Sequence, residues 1–394
     1  MTPVHDSFPS PRSAPPGEGR RLHLIGPGAL DRATGGDRYD ARMVMELRSR
    51  GWEVTVHGVG GDLPRSDESA RNALGRVLAG IPDSARVLTD GLVLGGLPVP
   101  AIRHSDQLRI VALVHHPLAD ETGLATEERS RLVETEARAL EAVRGVVVTS
   151  RHTARRMGER FGIPEGRVRV VIPGTDPAPP ASGPGPGEAP SLLCLGSLIP
   201  RKGQDVLVAA LAEIRDLSWR LVCAGSLSAD PAYARAVRAS ARNGGIADRI
   251  RFPGSVPDGA VRRLFHSSSL FVLPSRHEGY GMSLAEALAR GLPVVTTTAG
   301  AIPETVPADA GIRVPPGDPE ALAGALASLL GPDGGERRRK LARAARVHGA
   351  RLPTWQEVAA TMEAAILDLA EAEGAGDPRP RDVAAEGDRG GSMS

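Results

Sequence analysis

At 394 residues the chain exceeds one ordinary hydrophobic core, so two domains are expected. Lys and Arg total 48 against 47 Asp and Glu, a balance that does not call for a nucleic acid, and 3% aromatic residues leave little to stack on single-stranded bases. The two cysteines, Cys194 and Cys223, each fall in an apolar run and read as buried thiols, not as a disulfide framework. No charge-free apolar run reaches the roughly 18 residues that span a bilayer. The proline-rich start has no apolar stretch of the kind a signal peptide carries, so a cytoplasmic address is expected.

In chain order, residues 1–20 and 373–394 are rich in Pro, Gly, Ser and charge and are expected to be disordered tails. A first domain is expected over 21–176. Arg21–Ile25 reads as a strand and Gly26–Gly36 as a loop. Asp37–Arg50 reads as a helix with Tyr39, Met43 and Leu47 on one face, and Trp52–Val56 as the next strand. Strands follow at Arg86–Leu88, Arg109–Val114, Gly145–Val148 and Val168–Ile172, with helices at Glu127–Val143 and Arg151–Phe161. Seven prolines crowd residues 173–190 without periodicity, and a linker is placed at 177–190.

The alternation restarts over 191–352, a second domain. Strand Ser191–Leu195, helix Gln204–Leu217, strand Trp219–Ala224, helix Ala232–Gly244, strand Arg249–Phe252 and helix Asp258–Ser267 lead to a strand at Phe271–Leu273. A glycine loop, a helix over Met282–Arg290 and strand residues Val294 and Val295 follow. Ile312–Val314, Pro319–Leu330 and Arg337–Val347 complete that half, and a last helix over 353–372 closes the chain. Strands alternating with helices mean open parallel sheets, whose ligands sit beyond the carboxyl ends of the strands. Two such halves should face each other across a cleft.

Three stretches leave those strand ends with chemistry attached. Glu278-Gly279-Tyr280-Gly281-Met282-Ser283 joins a strand to a helix that carries Glu286. Its free amides suit an anion, and its two carboxylates suit hydroxyls. Gly196 opens a second turn that ends Arg201-Lys202-Gly203. Two cations at a helix N-terminus are unfavourable unless an anion lies there, and a diphosphate would answer. In the first half Gly35 and Gly36 open a helix, where amides could approach a donor phosphate or an acceptor. The nearby Gly26-x-Gly28 is not a dinucleotide fingerprint, because Asp31 holds the third glycine position and the second strand ends without an acid. His115 and His116 leave a further strand. One of them lines the cleft on this reading, and two adjacent histidines are too few ligands for a metal. The chain has no Asp-x-Asp, so no metal–diphosphate clamp of that type is expected, and no cofactor is.

With these residues assembled, the chain resembles the retaining glycosyltransferases of family 4, the large group 1 family of GT-B fold, from about residue 21 to about 371. Glu278 to Glu286 is similar to its E-x7-E motif, Gly196 to Lys202 to its strand-to-helix turn, and Ala299 to Glu304 to the glycine-to-glutamate segment after its following strand. The resemblance implies an α/β GT-B fold with two Rossmann-like domains, and metal-independent transfer of a sugar from a nucleoside-diphosphate sugar to a hydroxyl acceptor. It implies that Arg201 and Lys202 hold the diphosphate and that Glu278 contacts sugar hydroxyls. Gly279 to Met282 would lend amides, Glu286 would hold the ribose, Gly36 would approach the reacting centre, and His115 would lie near the donor sugar, one position from His116. It implies a last helix that crosses back to the first domain. A same-fold epimerase or phosphorylase and a non-catalytic sugar-nucleotide-binding subunit are the competing readings. Peripheral membrane association is left open by basic segments such as Arg151–Arg160.

Overall fold

Apolar runs bounded by glycine, proline or charge become strands, the central ones buried on both faces, and the amphipathic segments between them cover those faces. A computed structural model describes residues 19–372 apart from 29, 31–33, 62 and 65–66. The two expected tails and Asp31 therefore lie outside the described residues, except for Gly19 and Arg20. Arg20 is anchored, donating to the Arg50 carbonyl at 2.7 Å and pairing with Glu363 at 3.1 Å.

The first half contains β1 (Arg21–Gly26), α1 (Gly35–Ser49), β2 (Glu53–Gly58), α2 (Glu68–Ala79), β3 (Arg86–Asp90), α3 (Gly91–Gly96), α4 (Pro98–His104), β4 (Arg109–Val114), α5 (Thr126–Ala142), β5 (Gly145–Val148), α6 (Arg151–Phe161) and β6 (Val168–Val170). Its six strands form a parallel sheet in the order β2-β1-β3-β4-β5-β6. The second half contains β7 (Ser191–Leu195), α7 (Gln204–Glu213), β8 (Arg220–Ala224), α8 (Pro231–Asn243), β9 (Ile250–Gly254), α9 (Asp258–His266), β10 (Leu270–Leu273), α10 (Met282–Ala289), β11 (Val294–Thr297), α11 (Ile302–Thr305), β12 (Gly311–Val314), α12 (Pro319–Leu330) and α13 (Gly334–Gly349). Its six strands are also parallel, in the order β12-β11-β10-β7-β8-β9. The expected pair of parallel-sheet halves is the observed architecture.

Strand order reverses between β1 and β3 in the first sheet and between β7 and β10 in the second. Connections leave such a point in opposite directions, so the loops beyond those carboxyl ends part and leave a crevice. The turn after β7 and the glycine loop after β10 border one crevice. Asp90, which ends β3, and the segment leading to Gly35 border the other.

Three helices, α2, α3 and α4, fill the interval between β2 and β4 that the sequence pattern left without helices. α7 stops at Glu213, short of the expected Leu217, because the Ile214 carbonyl accepts the Leu217 amide and the Trp219 indole N–H at 3.1 Å each. The proline-rich connection is held against its surroundings: Thr175 donates to the Pro353 carbonyl, Ala181 to Arg290, and Ser182 and Gly183 to His266.

The last helix, α14 (Trp355–Glu371), starts in a capping box made by Thr354 and Glu357. Its apolar residues Trp355, Val358, Met362, Ile366 and Leu369 recur at helical spacing and join the core cluster formed by α1 and one face of the first sheet. Tyr39 of α1 meets Trp355 edge-on at 5.8 Å and donates to the Val171 carbonyl at 3.0 Å. Gly145 has no side chain where a Cβ would come within 2.5 Å of the Leu369 methyl. The final helix thus belongs structurally to the first half. Ile366→Ala should cost about 3 kcal/mol of stability, read as an earlier denaturation midpoint. A loss under about 1 kcal/mol would show that α14 is not docked on that core.

Candidate functional site

The site forms where the two switch points face each other, and its centre is a buried carboxylate. Glu278 follows β10 and is 5% exposed. Lys202 Nζ donates to its Oε1 at 2.6 Å, as does Ser275 Oγ at 2.6 Å, and Arg201 Nη1 lies 3.7 Å from Oε2. Burial alone would raise the Glu278 carboxyl. The Lys202 and Arg201 charges and the two hydrogen bonds overcome it and hold the group at about 2. Burial lowers the Lys202 ammonium, and Glu278 opposes that shift.

Arg201 and Lys202 lie in a short 3-10 turn, Pro200–Lys202, just before α7. Arg276 steadies the turn from the β10 loop: its amide donates to the Arg201 carbonyl at 2.7 Å, its guanidinium to the Pro200 carbonyl at 2.7 Å, and it grips Asp205 with two hydrogen bonds. The sequence argument required an anion beside the two cations. Protein carboxylates fill part of that role, Glu278 from the same half and Glu121 from the other. Arg201 Nε donates to Glu121 Oε2 at 3.1 Å. Burial opposes the ionised Glu121, but a hydrogen bond from His116 and the Arg201 charge bring it to about 2.

The glycine loop is shaped by two close constraints. Gly281 has φ of 92°, a left-handed value, where it caps α10. A Cβ on Gly279 would lie 1.9 Å from the His115 carbonyl oxygen, so only glycine lets this loop touch the opposite half. No side chain caps the start of α10, and Met282 packs against the core of the first half. Amides of Met282 and Ser283 begin that helix in the glycine-bordered crevice, beside Tyr280, whose carbonyl accepts from Thr305 at 2.6 Å. At the end of β7, Gly196 passes the Lys202 stem at 3.5 Å, measured to the position of a Cβ.

The two motif glutamates have different partners. Glu286 faces Arg38 of α1, with Nη2 to Oε1 at 2.9 Å, and its carboxyl is raised by burial against the pull of that cation. The expected first-half residues also converge here. Gly35 and Gly36 open α1 behind the Thr34 cap, and the Gly36 Cα hydrogen points at the His115 ring, 3.2 Å from a would-be Cβ. His115 lies between Gly36 and Gly279. His116 turns instead toward Glu121, at 3.7 Å, and toward His277, ring to ring at 5.8 Å. His277 is pushed down to about 4 by burial and the neighbouring His116.

His115 is not alone. Its Nε2 lies 3.1 Å from Asp40 Oδ1 and 3.5 Å from Asp90 Oδ2, and the three ligand-type atoms sit within 4.8 Å of one another. Local spacing around His115 and His116 could not show this, since the acids come from α1 and the end of β3. One signal could have found Asp40, which lies one helical turn beyond Gly36, whereas Asp90 is placed only by the observed strand end and strand order. Arg38 and Glu121 were likewise missed, because their roles depend on the partner half.

A family profile described as Glycosyl transferases group 1 matches residues 189–331, and one described as Glycosyltransferase Family 4 matches residues 33–179. A D-inositol 3-phosphate glycosyltransferase of Xylanimonas cellulosilytica is 31% identical over 256 residues, 61% of this chain and 60% of that protein. A GDP-mannose-dependent alpha-(1-6)-phosphatidylinositol monomannoside mannosyltransferase of Mycobacterium tuberculosis is 32% identical over 206 residues, 47% of this chain and 52% of that protein. The chain thus spans between about half and three fifths of these relatives. Among solved structures, sucrose-phosphate synthase of Thermosynechococcus elongatus aligns with a TM-score of 0.74 at 22% identity, over 89% of this chain and 99% of that one. Anabaena HepE, in complex with UDP and glucose, aligns with a TM-score of 0.71 at 16% identity, over 88% and 99%. These two share the fold.

The buried ion cluster has a measurable signature. With folded values near 2 against an ordinary 4.5, Glu278 and Glu121 contribute stability that is complete above about pH 4.5 and is lost as pH falls toward 2. Lys202→Met should cost about 3 kcal/mol by leaving Glu278 poorly compensated, and adding Glu278→Gln should recover part of that. Denaturation midpoints of the two single variants and the double variant check it, and strictly additive losses would sink the pairing.

Proposed function

We propose that this chain, which belongs to the group 1 glycosyltransferases of family 4, moves a sugar from a nucleoside-diphosphate sugar to a hydroxyl acceptor, with retention and without a metal. The observation that carries the reading is the convergence of Arg201, Lys202, Glu278 and the uncapped start of α10 at one switch point. Cations and helix amides meet the diphosphate, and a buried acceptor-only carboxylate meets sugar hydroxyls.

As the donor's C1–O bond breaks, negative charge grows on the departing diphosphate. Arg201, Lys202 and the α10 amides are already oriented toward it, and preorganised charge of this kind lowers the barrier. The acceptor oxygen attacks from the face the diphosphate leaves, and the acceptor's proton departs with it. Gly279 to Ser283 lend backbone amides, Gly196 lets Lys202 lie close to β7, and Gly35 and Gly36 bring α1 up to the reacting centre. Glu286 holds the ribose hydroxyls after exchanging Arg38 for them. The acceptor lies against the first half, and the relatives' names make a polyol or a lipid-linked glycan the first class to try. Among the described residues no helix is long and apolar enough to cross a membrane. Non-catalytic binding is the second reading, favoured only by Glu121 occupying Arg201.

A thermal-shift panel of UDP-, GDP-, ADP- and dTDP-sugars, with and without EDTA, tests the donor site. One base should stand out through mass-action stabilisation, unchanged by EDTA. No shift with any of them would overturn the assignment. Arg201→Ala should lower turnover about 10²-fold or more, the scale of losing one preorganised anion donor, and unchanged kinetics would refute the diphosphate role. Glu121→Gln frees Arg201 of a competing anion, so it should tighten nucleotide binding, measured by calorimetry. Weaker binding would show that Glu121 supports the donor and does not compete with it.

A further inference from the structure

The family reading uses His115 but gives no work to Asp40 and Asp90, two buried acids from different elements that both face one edge of its ring. Asp40 is fully buried on α1, and its Oδ1 meets Nε2 at 3.1 Å. Its Oδ2 is buried with no hydrogen-bond partner among the described residues. Asp90 ends β3, accepts the Leu92 amide at 2.6 Å and lies 3.5 Å from the same Nε2. Carboxylates are acceptors only, so Nε2 must carry a proton to satisfy them. Two buried carboxylates on one imidazole also leave a charge deficit that a second ring proton reduces; burial and Asp90 raise the Asp40 carboxyl to about 6 against the pull of His115, so it is still ionised at neutral pH.

The rest of the ring's surroundings adds no opposing charge. Tyr39 of α1 presents a ring edge at 5.2 Å, with its hydroxyl spent on the Val171 carbonyl, and its phenol is raised well out of the titrating range by burial. Thr149 after β5 donates to the His115 carbonyl at 3.0 Å. From the second half the Gly279 backbone comes up against that carbonyl, and His116 turns away toward Glu121. The ring edge carrying Nδ1 has no partner among the described residues, and the side chain keeps 20% of its surface open. Burial acts to neutralise the ring, but the two acids outweigh it and lift His115 to about 10.

We propose that Asp40 and Asp90 are positioning residues that clamp His115 through Nε2, on the ring edge that Gly36 faces, and keep its imidazole doubly protonated, so that Nδ1–H on the opposite edge is a fixed cationic donor. This deepens the proposed function, on which it rests for the identity of what is met there, the donor's sugar and leaving diphosphate. It excludes His115 as a general base at neutral pH, because an imidazolium has no lone pair to accept the acceptor's proton. The catalytic charge on the departing group would be met from both halves, by Arg201 and Lys202 on one side and by His115 on the other.

The test reads the ring itself, before any substrate is added. The 394-residue chain is labelled at its ten histidines with nitrogen-15, and the His115 signal is identified by its loss in His115→Gln. In the wild-type protein both His115 ring nitrogens should stay protonated from pH 6 to beyond pH 8.5. In Asp40→Asn the ring should titrate about one unit or more lower, as expected when one of two neighbouring carboxylates is removed. Transfer by that variant, or donor hydrolysis where no acceptor is known, should then fall as pH rises through the lowered value. At low pH it should recover toward wild type, which a merely packing role would not produce. Asp40→Glu, which keeps the charge, should restore the protonated ring.

A wild-type ring that is neutral at pH 7, or that titrates near 6.5, would overturn the proposal whether or not the variants fold. Selective broadening of the His115 signal by low-millimolar Mn²⁺ would also overturn it, by giving the three side chains to a cation. A protonated ring in a protein that binds no nucleotide would leave the clamp standing and defeat the donor assignment alone, so the two failures are distinguishable.

Discussion

The structure depends first on a carboxylate that is almost fully out of water. Glu278 can stay ionised there only because Lys202 and Arg201, from the loop after β7, and Ser275, from its own loop after β10, face it. The ion cluster therefore ties the loop after β7 to the loop after β10. Arg276 repeats the tie through the Arg201 and Pro200 carbonyls. A charged cluster of this kind is poor stability for its burial, but it fixes direction. It holds the two cations where an incoming anion can replace part of their carboxylate partners without moving the backbone.

That arrangement is a consequence of strand order. Parallel sheets expose no edge suited to a deep pocket, yet where consecutive connections run to opposite sides, the loops part. Each half has one such point, and the residues of the candidate site lie there: Lys202 and Glu278 in one, Asp90 and the start of α1 in the other. The buried positions of the flanking strands are mostly apolar, such as Leu192, Phe271 and Val295, and supply rigidity. α14 completes the first half with the far end of the chain, so the two halves are linked twice.

Contacts between the halves run through the same residues as the proposed chemistry. Arg38 meets Glu286, Glu121 meets Arg201, and Gly279 touches the His115 carbonyl. Ion pairs stand in for a ligand of opposite charge on each side. A diphosphate would take over the Arg201 contact, and hydroxyls would take over part of Glu286, so donor binding and the fit between the halves share one set of contacts.

Much of the fold was legible because the physical signals are local. Phe271–Leu273 is apolar and short, Gly279 and Gly281 interrupt it, and Met282–Ala289 has helical composition, so strand, loop and helix follow from neighbours in the chain. α12 is found over Pro319–Leu330 as its proline start and leucine spacing require. α7 ends early because Trp219, beyond the helix, captures the Ile214 carbonyl, and propensity alone does not see such a contact. The sequence by itself determined two parallel-sheet halves, a glycine loop flanked by glutamates and a pair of cations before a helix. Only the tertiary structure decided that Glu278 would face Lys202 while Glu286 faces Arg38, and that Asp40 and Asp90 would meet at His115. Those pairings join residues distant in the chain, and no local periodicity records which switch-point loops the folded sheets bring within 4 Å of one another.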